Sequence, residues 1–159
     1  MKILLDFDGV MVTTPTWRSV ERLEDGFMAF NSYCVANLAR VLSITPADIV
    51  LTTTHRIHHS EAEWYQLLLN RGIKTDKVSK VNSASTFKDL SIRCIEVLEW
   101  VDAHSSENFV IIDDDKSLRD LPTDIKARWV ETNFHQGLTK LDSDRVLDIL
   151  LSEPKKISV

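Results

Sequence analysis

The sequence predicts an α/β protein: a Rossmann-like three-layer α/β/α sandwich around a central, mainly parallel sheet of about five strands. Two observations carry that expectation. Short apolar runs recur along the 159 residues with helix-periodic segments between them, the alternation that builds a parallel sheet by crossover connections. Two of those runs, "IVLTTT" from Ile49 and "FVIIDDD" from Phe109, are continuously apolar and stop abruptly at polar residues, as strands covered on both faces do.

The elements follow in order. Lys2–Asp6 reads as the first strand and Phe30–Leu42 as the first helix; Thr45-Pro46 then introduces a second strand, Asp48–Thr52. In the helix Glu61–Arg71, Trp64, Leu67 and Leu68 share a face, and "NRG" at Asn70–Gly72 supplies the stop. A short strand falls within Lys74–Ser79. The helix Lys88–Ala103 spaces Leu90, Cys94, Val97, Leu98 and Val101 at threes and fours, an apolar stripe made to lie on a sheet. Strands at Phe109–Ile112 and Ala127–Thr132 and a helix at Asp142–Leu151 complete the order. Residues 1–152 are expected to form one domain, and 153–159 a surface tail.

Composition narrows the function classes. A hydrophobic fraction of 43% with 27% charged residues is that of a globular chain able to bury a core. The net charge of −5 argues against general nucleic-acid binding, although a local basic groove can still take a strand end. Cys34 and Cys94 lie in apolar, helix-like surroundings, the setting of buried thiols in a reducing compartment. No run approaches the roughly 20 apolar residues that span a bilayer, and no basic segment precedes a signal-type apolar stretch, so a cytoplasmic location is expected.

In open parallel sheets ligands bind beyond the carboxyl ends of the strands. Here the first strand runs into Asp6-Phe7-Asp8-Gly9, the second into Thr52-Thr53-Thr54-His55-Arg56, and the Phe109 strand into Asp113-Asp114-Asp115-Lys116. Each has a bland reading: a turn with a solvated acid, a polar turn with Thr54 capping the next helix, and an acid cluster at a helix start. None of these accounts for all three sets falling at the same end of successive strands. If the three strands are neighbours, their carboxylates repel one another in one small volume, and a hard divalent cation, for which Mg2+ fits best, is the expected compensator.

These residues resemble the signatures of the haloacid dehalogenase (HAD) superfamily of phosphohydrolases. Its first motif, an apolar strand followed by DxDx[TV], is matched by "ILLDFDGV" at Ile3–Val10, its second by "IVLT" at Ile49–Thr52, and its fourth by "VIIDD" at Val110–Asp114. The third motif, a lysine at or near a helix start, is matched best by Lys88, with Lys80 and Lys77 as alternatives. "VLTTTHR", "IIDDD" and "GLT" are further similar to the subgroup related to the HAD domain of Swiss Army Knife RNA repair proteins. The resemblance implies a Mg2+-dependent phosphatase. Asp6 is then the nucleophile that forms an aspartyl-phosphate, and Asp8 the general acid and base. It also implies a metal site made by Asp6, the backbone carbonyl of Asp8, Asp113 and, in support, Asp114, with Thr52 and Lys88 binding phosphoryl oxygens. Asp115 reads as a cap or supporting group. Thr53 and Arg56 are the substrate-contact candidates, while His55, His58 and His59 read as ordinary surface histidines.

HAD proteins often carry a cap inserted after the first motif or between the second and third. Neither Met11–Asp48 nor Thr53–Phe87 has room for a folded lid, so an open site is expected. Such a site suits bulky substrates: phosphorylated nucleic-acid ends, proteins or large metabolites. Trp17 and Arg18 stand in the segment expected to border its mouth. A non-catalytic phosphate- or Mg2+-binding module, and a phosphotransferase or phosphomutase, are the competing readings. The pairing of Asp6 with Asp8 speaks against the first, since a binding module needs no nucleophile and acid together.

Overall fold

Ile3, Leu4 and Leu5 are fully buried, which a strand achieves only when both faces of its sheet are covered. They form β1 (Lys2–Leu5) at the centre of the computed structural model, which describes residues 1–15 and 17–152. The expected tail 153–159 therefore lies outside the described residues. β1 pairs in parallel with β2 (Asp48–Leu51) on one side and β4 (Phe109–Asp113) on the other. β3 (Val78–Lys80) and β5 (Trp129–Glu131) lie outside them, giving the order β3-β2-β1-β4-β5.

The pleat divides the core in two. Ile3, Leu5, Ile49, Leu51, Val110 and Ile112 face one layer, where Leu38 and Val41 of α1 (Ser32–Ile44), Trp64 and Leu68 of α2 (Glu61–Asn70) and Val146 and Leu150 of α5 (Lys140–Leu151) pack on them. Leu4, Val50, Phe109 and Ile111 face the other, under Val97, Trp100 and Val101 of α3 (Arg93–Ala103) and Ile125 of α4 (Thr123–Lys126). Among the described residues no helix is long and apolar enough to cross a membrane.

Several boundaries shift from their expected places for local reasons. The Ser60 hydroxyl and Glu63 carboxylate close a reciprocal box at the start of α2, and Thr139 with Asp142 does so at α5, moving its start ahead of Asp142. α3 begins at Arg93, five residues later than expected. The Asp89 carboxylate turns back to accept from the backbone N–H groups of Ser85 and Thr86, closing a separate 3-10 turn at Phe87–Asp89. Leu90 and Ile92 then run extended, so the helix cannot extend back through them. β3 overlaps the end of its expected window, Lys74–Ser79, and runs one residue past it, and α4 and three 3-10 turns add to the expected elements.

This register positions the site. Leu5 pairs with Leu51 and with Ile112, so the next residues, Asp6, Thr52 and Asp113, form one row across three strands. The ladder continues through them, with the Asp6 N–H donating to Ile112 O and the Thr52 N–H to Leu5 O. Two residues beyond Leu4, Val50 and Ile111, the row falls on the face that α3 covers.

Candidate functional site

That row puts two acids and a hydroxyl under the first turn of α3. Asp6, Asp113 and Asp114 bring carboxylate oxygens within 4.8 Å of one another. Arg93, the first residue of α3, reaches down among them: its Nη1 bonds the Asp113 carboxylate, lies 3.5 Å from Asp6 Oδ1 and donates to Thr52 Oγ1 at 3.3 Å. The Thr52 hydroxyl in turn donates to Asp113 Oδ2 at 3.4 Å.

The electrostatics follow from burial. Desolvation raises the Asp6 carboxyl above its usual range despite the nearby guanidinium. Desolvation, with the Asp6 charge in second place, pushes Asp113 up to about 7 while Arg93 pulls the other way. Asp114 is raised as well, by burial and then by Asp113. Burial works against the charge on Arg93, but the carboxylates of Asp6 and Asp113 outweigh it and hold the guanidinium above its ordinary value. One guanidinium does not balance three carboxylates. The surplus negative charge sits in a set of hard oxygen donors, and the residues fit a divalent cation of the Mg2+ type.

Gly9 makes the gathering possible. Its φ is +73°, and a Cβ there would lie 2.5 Å from Asp114 Oδ2. Its carbonyl accepts from Thr132 Oγ1 at 2.8 Å, tying the turn after β1 to the chain after β5. Asp8, on the same turn, is half exposed and lies outside the acid cluster; its Oδ2 meets His55 Nε2 at 2.9 Å.

A family model described as the HAD domain in Swiss Army Knife RNA repair proteins matches residues 2–143, from the start of β1 into α5. The chain belongs to this family. Among curated proteins and solved structures nothing matches it significantly. The HAD domain thus has the parallel α/β architecture expected, and family membership supports, in general terms, a HAD-type phosphohydrolase or a related function.

Against that frame of motifs, the individual residues fall out unevenly. Asp6, Thr52, Asp113 and Asp114 converge, with Asp8 at the edge. Thr52 is fully buried, and its hydroxyl orients Arg93 and Asp113. Asp115 caps the 3-10 turn Lys116–Asp120 by accepting from the Ser117 N–H. Thr53 is also buried; its Oγ1 accepts from the His55 N–H at 3.4 Å and caps the 3-10 turn Thr54–His58, so it is turned away from solvent. Trp17 stands 76% exposed, with the Arg18 guanidinium over its ring at 4.9 Å, and so is not packed on the domain's edge.

Three expectations are corrected, and the first is Thr53, which is buried as the cap of its own turn and does not face a substrate. Arg56 does not face a substrate: it is fully buried, donates to the carbonyls of Thr52 (2.9 Å) and Thr53 (3.0 Å) and to Asn82 Oδ1 (3.1 Å), and pairs with Glu96. Burial lowers its pKa and Glu96 opposes that shift. Lys88 is exposed on the separate 3-10 turn, and no hydrogen bond or ion pair among the described residues joins it, Lys80 or Lys77 to the acids. The cation that reaches the acids is Arg93. It was detectable in the sequence, since with Val97, Trp100 and Val101 it continues the apolar face of α3, where a cation is out of place unless acids await it. His55 was missed for a different reason: its partner Asp8 is 47 residues away, and histidine spacing alone does not reveal it.

Proposed function

We propose that this HAD domain is a Mg2+-dependent phosphatase that hydrolyses phosphate monoesters through an aspartyl-phosphate. The observation that supports this most is the meeting of Asp6, Asp113 and Asp114 within 4.8 Å, with the Arg93 guanidinium beside Asp6. Asp6, the backbone carbonyl of Asp8, Asp113 and Asp114 would hold Mg2+. When bound, the cation offsets the repulsion between an anionic nucleophile and an anionic ester.

The residues of the chain do the rest. An Asp6 oxygen forms a bond to phosphorus as the bond from phosphorus to the ester oxygen breaks, and Asp8 delivers its proton to that departing oxygen. Water then attacks the phosphorus of the aspartyl-phosphate while Asp8 takes a proton from it, releasing phosphate and regenerating both acids. Arg93 binds phosphoryl oxygens on which charge is spread in flight, and Thr52 aims it.

The substrate we infer is a phosphorylated RNA end. The family description names RNA repair, and the site's surroundings are consistent with a polymer end. Among its described residues, the segment between β1 and α1 holds isolated bridges, such as Arg22 with Met28, and no named helix or strand. A cavity of about 390 Å3 opens where Asp114 lies, lined also by Lys116, Asn133, Phe134 and His135. Rings that suit base stacking stand on the opposite side, with Phe87 70% exposed and edge-on to His58 at 5.8 Å. The buried free thiols of Cys34 and Cys94 support a reducing, cytoplasmic setting.

The test is release of inorganic phosphate from 3′- and 5′-phosphorylated oligoribonucleotides, phosphopeptides and sugar phosphates, with Mg2+ and with chelator. The expected result is Mg2+-dependent turnover, greatest on an oligoribonucleotide and abolished in a folded Asp6→Asn protein. Turnover by that variant overturns the assigned nucleophile, and preference for a peptide or sugar phosphate overturns the substrate.

A further inference from the structure

Asp8 is the one acid of the first motif that nothing in the acid cluster holds. Its side chain is 48% exposed, and its only hydrogen-bond partner among the described residues is His55, whose Nε2 lies 2.9 Å from Oδ2. The imidazole is itself held on a prepared surface. Phe27 and the imidazole meet nearly at right angles, at 5.5 Å and 79°, and Phe27 is braced by Trp64 at 5.0 Å and 86°. Behind Phe27, the Arg71 guanidinium lies 5.3 Å over the ring while its Nη1 and Nη2 bond Asp25 at 2.6 and 2.9 Å. The backbone N–H of His55 is fixed by the Thr53 hydroxyl. The imidazole is only 28% exposed, so these contacts hold the ring in place beside Asp8.

We infer that His55 is a positioning residue for Asp8: by holding Oδ2 it directs the other oxygen, Oδ1, at the place where the ester oxygen leaves. The inference rests on the phosphatase reading and names a part of it. A carboxylate anchored at one oxygen presents the second in a fixed direction, whereas an unanchored one samples several rotamers and is in line for proton transfer only part of the time. Protonation of the departing oxygen matters most when that oxygen is an alkoxide, and little when it is a phenolate stable in water. The contribution of His55 is therefore read in the dependence of rate on the leaving group.

The experiment compares kcat and KM for an alkyl phosphate and for p-nitrophenyl phosphate at saturating Mg2+, in the wild-type protein and in His55→Phe, His55→Asn and His55→Gln. With general acid catalysis worth ~100-fold or more, His55→Phe is expected to lose roughly 10- to 100-fold in kcat/KM, which reports formation of the aspartyl-phosphate alone, on the alkyl ester and less than about 3-fold on the aryl ester. His55→Asn, whose amide is too short to reach Asp8, shows the same split and keeps the test open if the phenylalanine variant does not fold. His55→Gln, whose amide nitrogen reaches about as far as Nε2, recovers most of the loss. Equal losses of kcat/KM on both esters, a loss on the alkyl ester carried by KM alone, wild-type values in the asparagine variant, or no recovery with glutamine would each overturn the assignment. Asp6→Asn separates the two ideas: if it is inactive while the leaving-group split is absent, this inference alone falls; if it is active, or if the native protein hydrolyses neither these esters nor a phosphorylated oligoribonucleotide, which is itself an alkyl phosphate and can serve as one, the phosphatase reading falls and takes the inference with it.

Discussion

Arg56 and Arg93 are both buried, and both approach Glu96, yet they do opposite things. Arg56 spends its donors on the carbonyls of Thr52 and Thr53 and on Asn82, so it fixes the path of the chain as it leaves β2. Arg93 meets the carboxylates of Asp6 and Asp113 and the hydroxyl of Thr52, groups that have no need of a cation to set the chain's path. Burial depresses the first arginine's pKa, and neighbouring acids raise the second's. Enclosure alone therefore says little about role. What distinguishes a structural cation from a working one is whether its partners are backbone oxygens already fixed by the fold or side-chain charges that would repel each other without it.

The contrast can be broken most directly at Arg93. Arg93→Ala is expected to lower kcat/KM on a phosphate ester by about 1,000-fold or more, the scale of removing an arginine from phosphoryl transfer. Arg93→Lys keeps part of the rate. A rate per folded molecule unchanged in Arg93→Ala would make the two arginines equivalent and end the distinction. For Arg56→Ala the loss is expected in stability, about 3–5 kcal/mol in a denaturant titration, because Glu96 is left buried with its main partner gone. Its kcat per folded molecule should fall far less than that of Arg93→Ala.

Magnesium sharpens the comparison further. Saturation to 100 times the dissociation constant is expected to raise the wild-type unfolding free energy by about 2.7 kcal/mol. Arg93→Ala should gain at least as much, since the cation then becomes the main counter-charge for the acids. Arg56→Ala should gain the same as wild type. Differential scanning calorimetry with and without Mg2+ checks all three, and a thermal midpoint insensitive to the metal in every protein refutes the account of the cluster.

A third arginine gives the smallest effect. Arg71 holds Asp25, and that hydrogen bond lowers the Asp25 carboxyl to about 2. A depressed folded-state value means that the pair's stabilisation is present in full above the unfolded pKa, near 3.9, and is lost as pH falls through about 2. The thermal midpoints of wild type and Asp25→Asn should differ above pH 4 and converge towards pH 2. Asp25 is exposed as a residue but its side chain is 17% exposed against Arg71, so the difference should be modest and below that at Arg56.

Much of the scaffold was legible because its signals are local. The apolar runs of β1, β2 and β4, the periodicity in α2 and the acids after Leu5 and Ile112 are all contiguous in the chain, and the family signature lies in them. Legibility failed where an outcome depended on competition or distance. Lys88 looked like the start of α3 until the Asp89 side chain claimed the preceding N–H groups. Arg56, polar and just past a strand, read as outward-facing because nothing in sequence announces that Glu96 and Asn82 converge on it from other elements. Arg93 was the reverse, a site group concealed in an apolar helical stripe.

Gly9 carries one more consequence. With only a hydrogen between the backbone of the turn after β1 and the carboxylate of Asp114, two strand tips share one point of contact, and the Thr132 hydroxyl fastens the same peptide from a third direction. Asp8 rides on that turn. The group proposed to move protons is thus mechanically geared to a carboxylate proposed to hold the cation: a shift in either tip is transmitted to the other, so the two halves of the chemistry keep a common alignment without any lid to impose it.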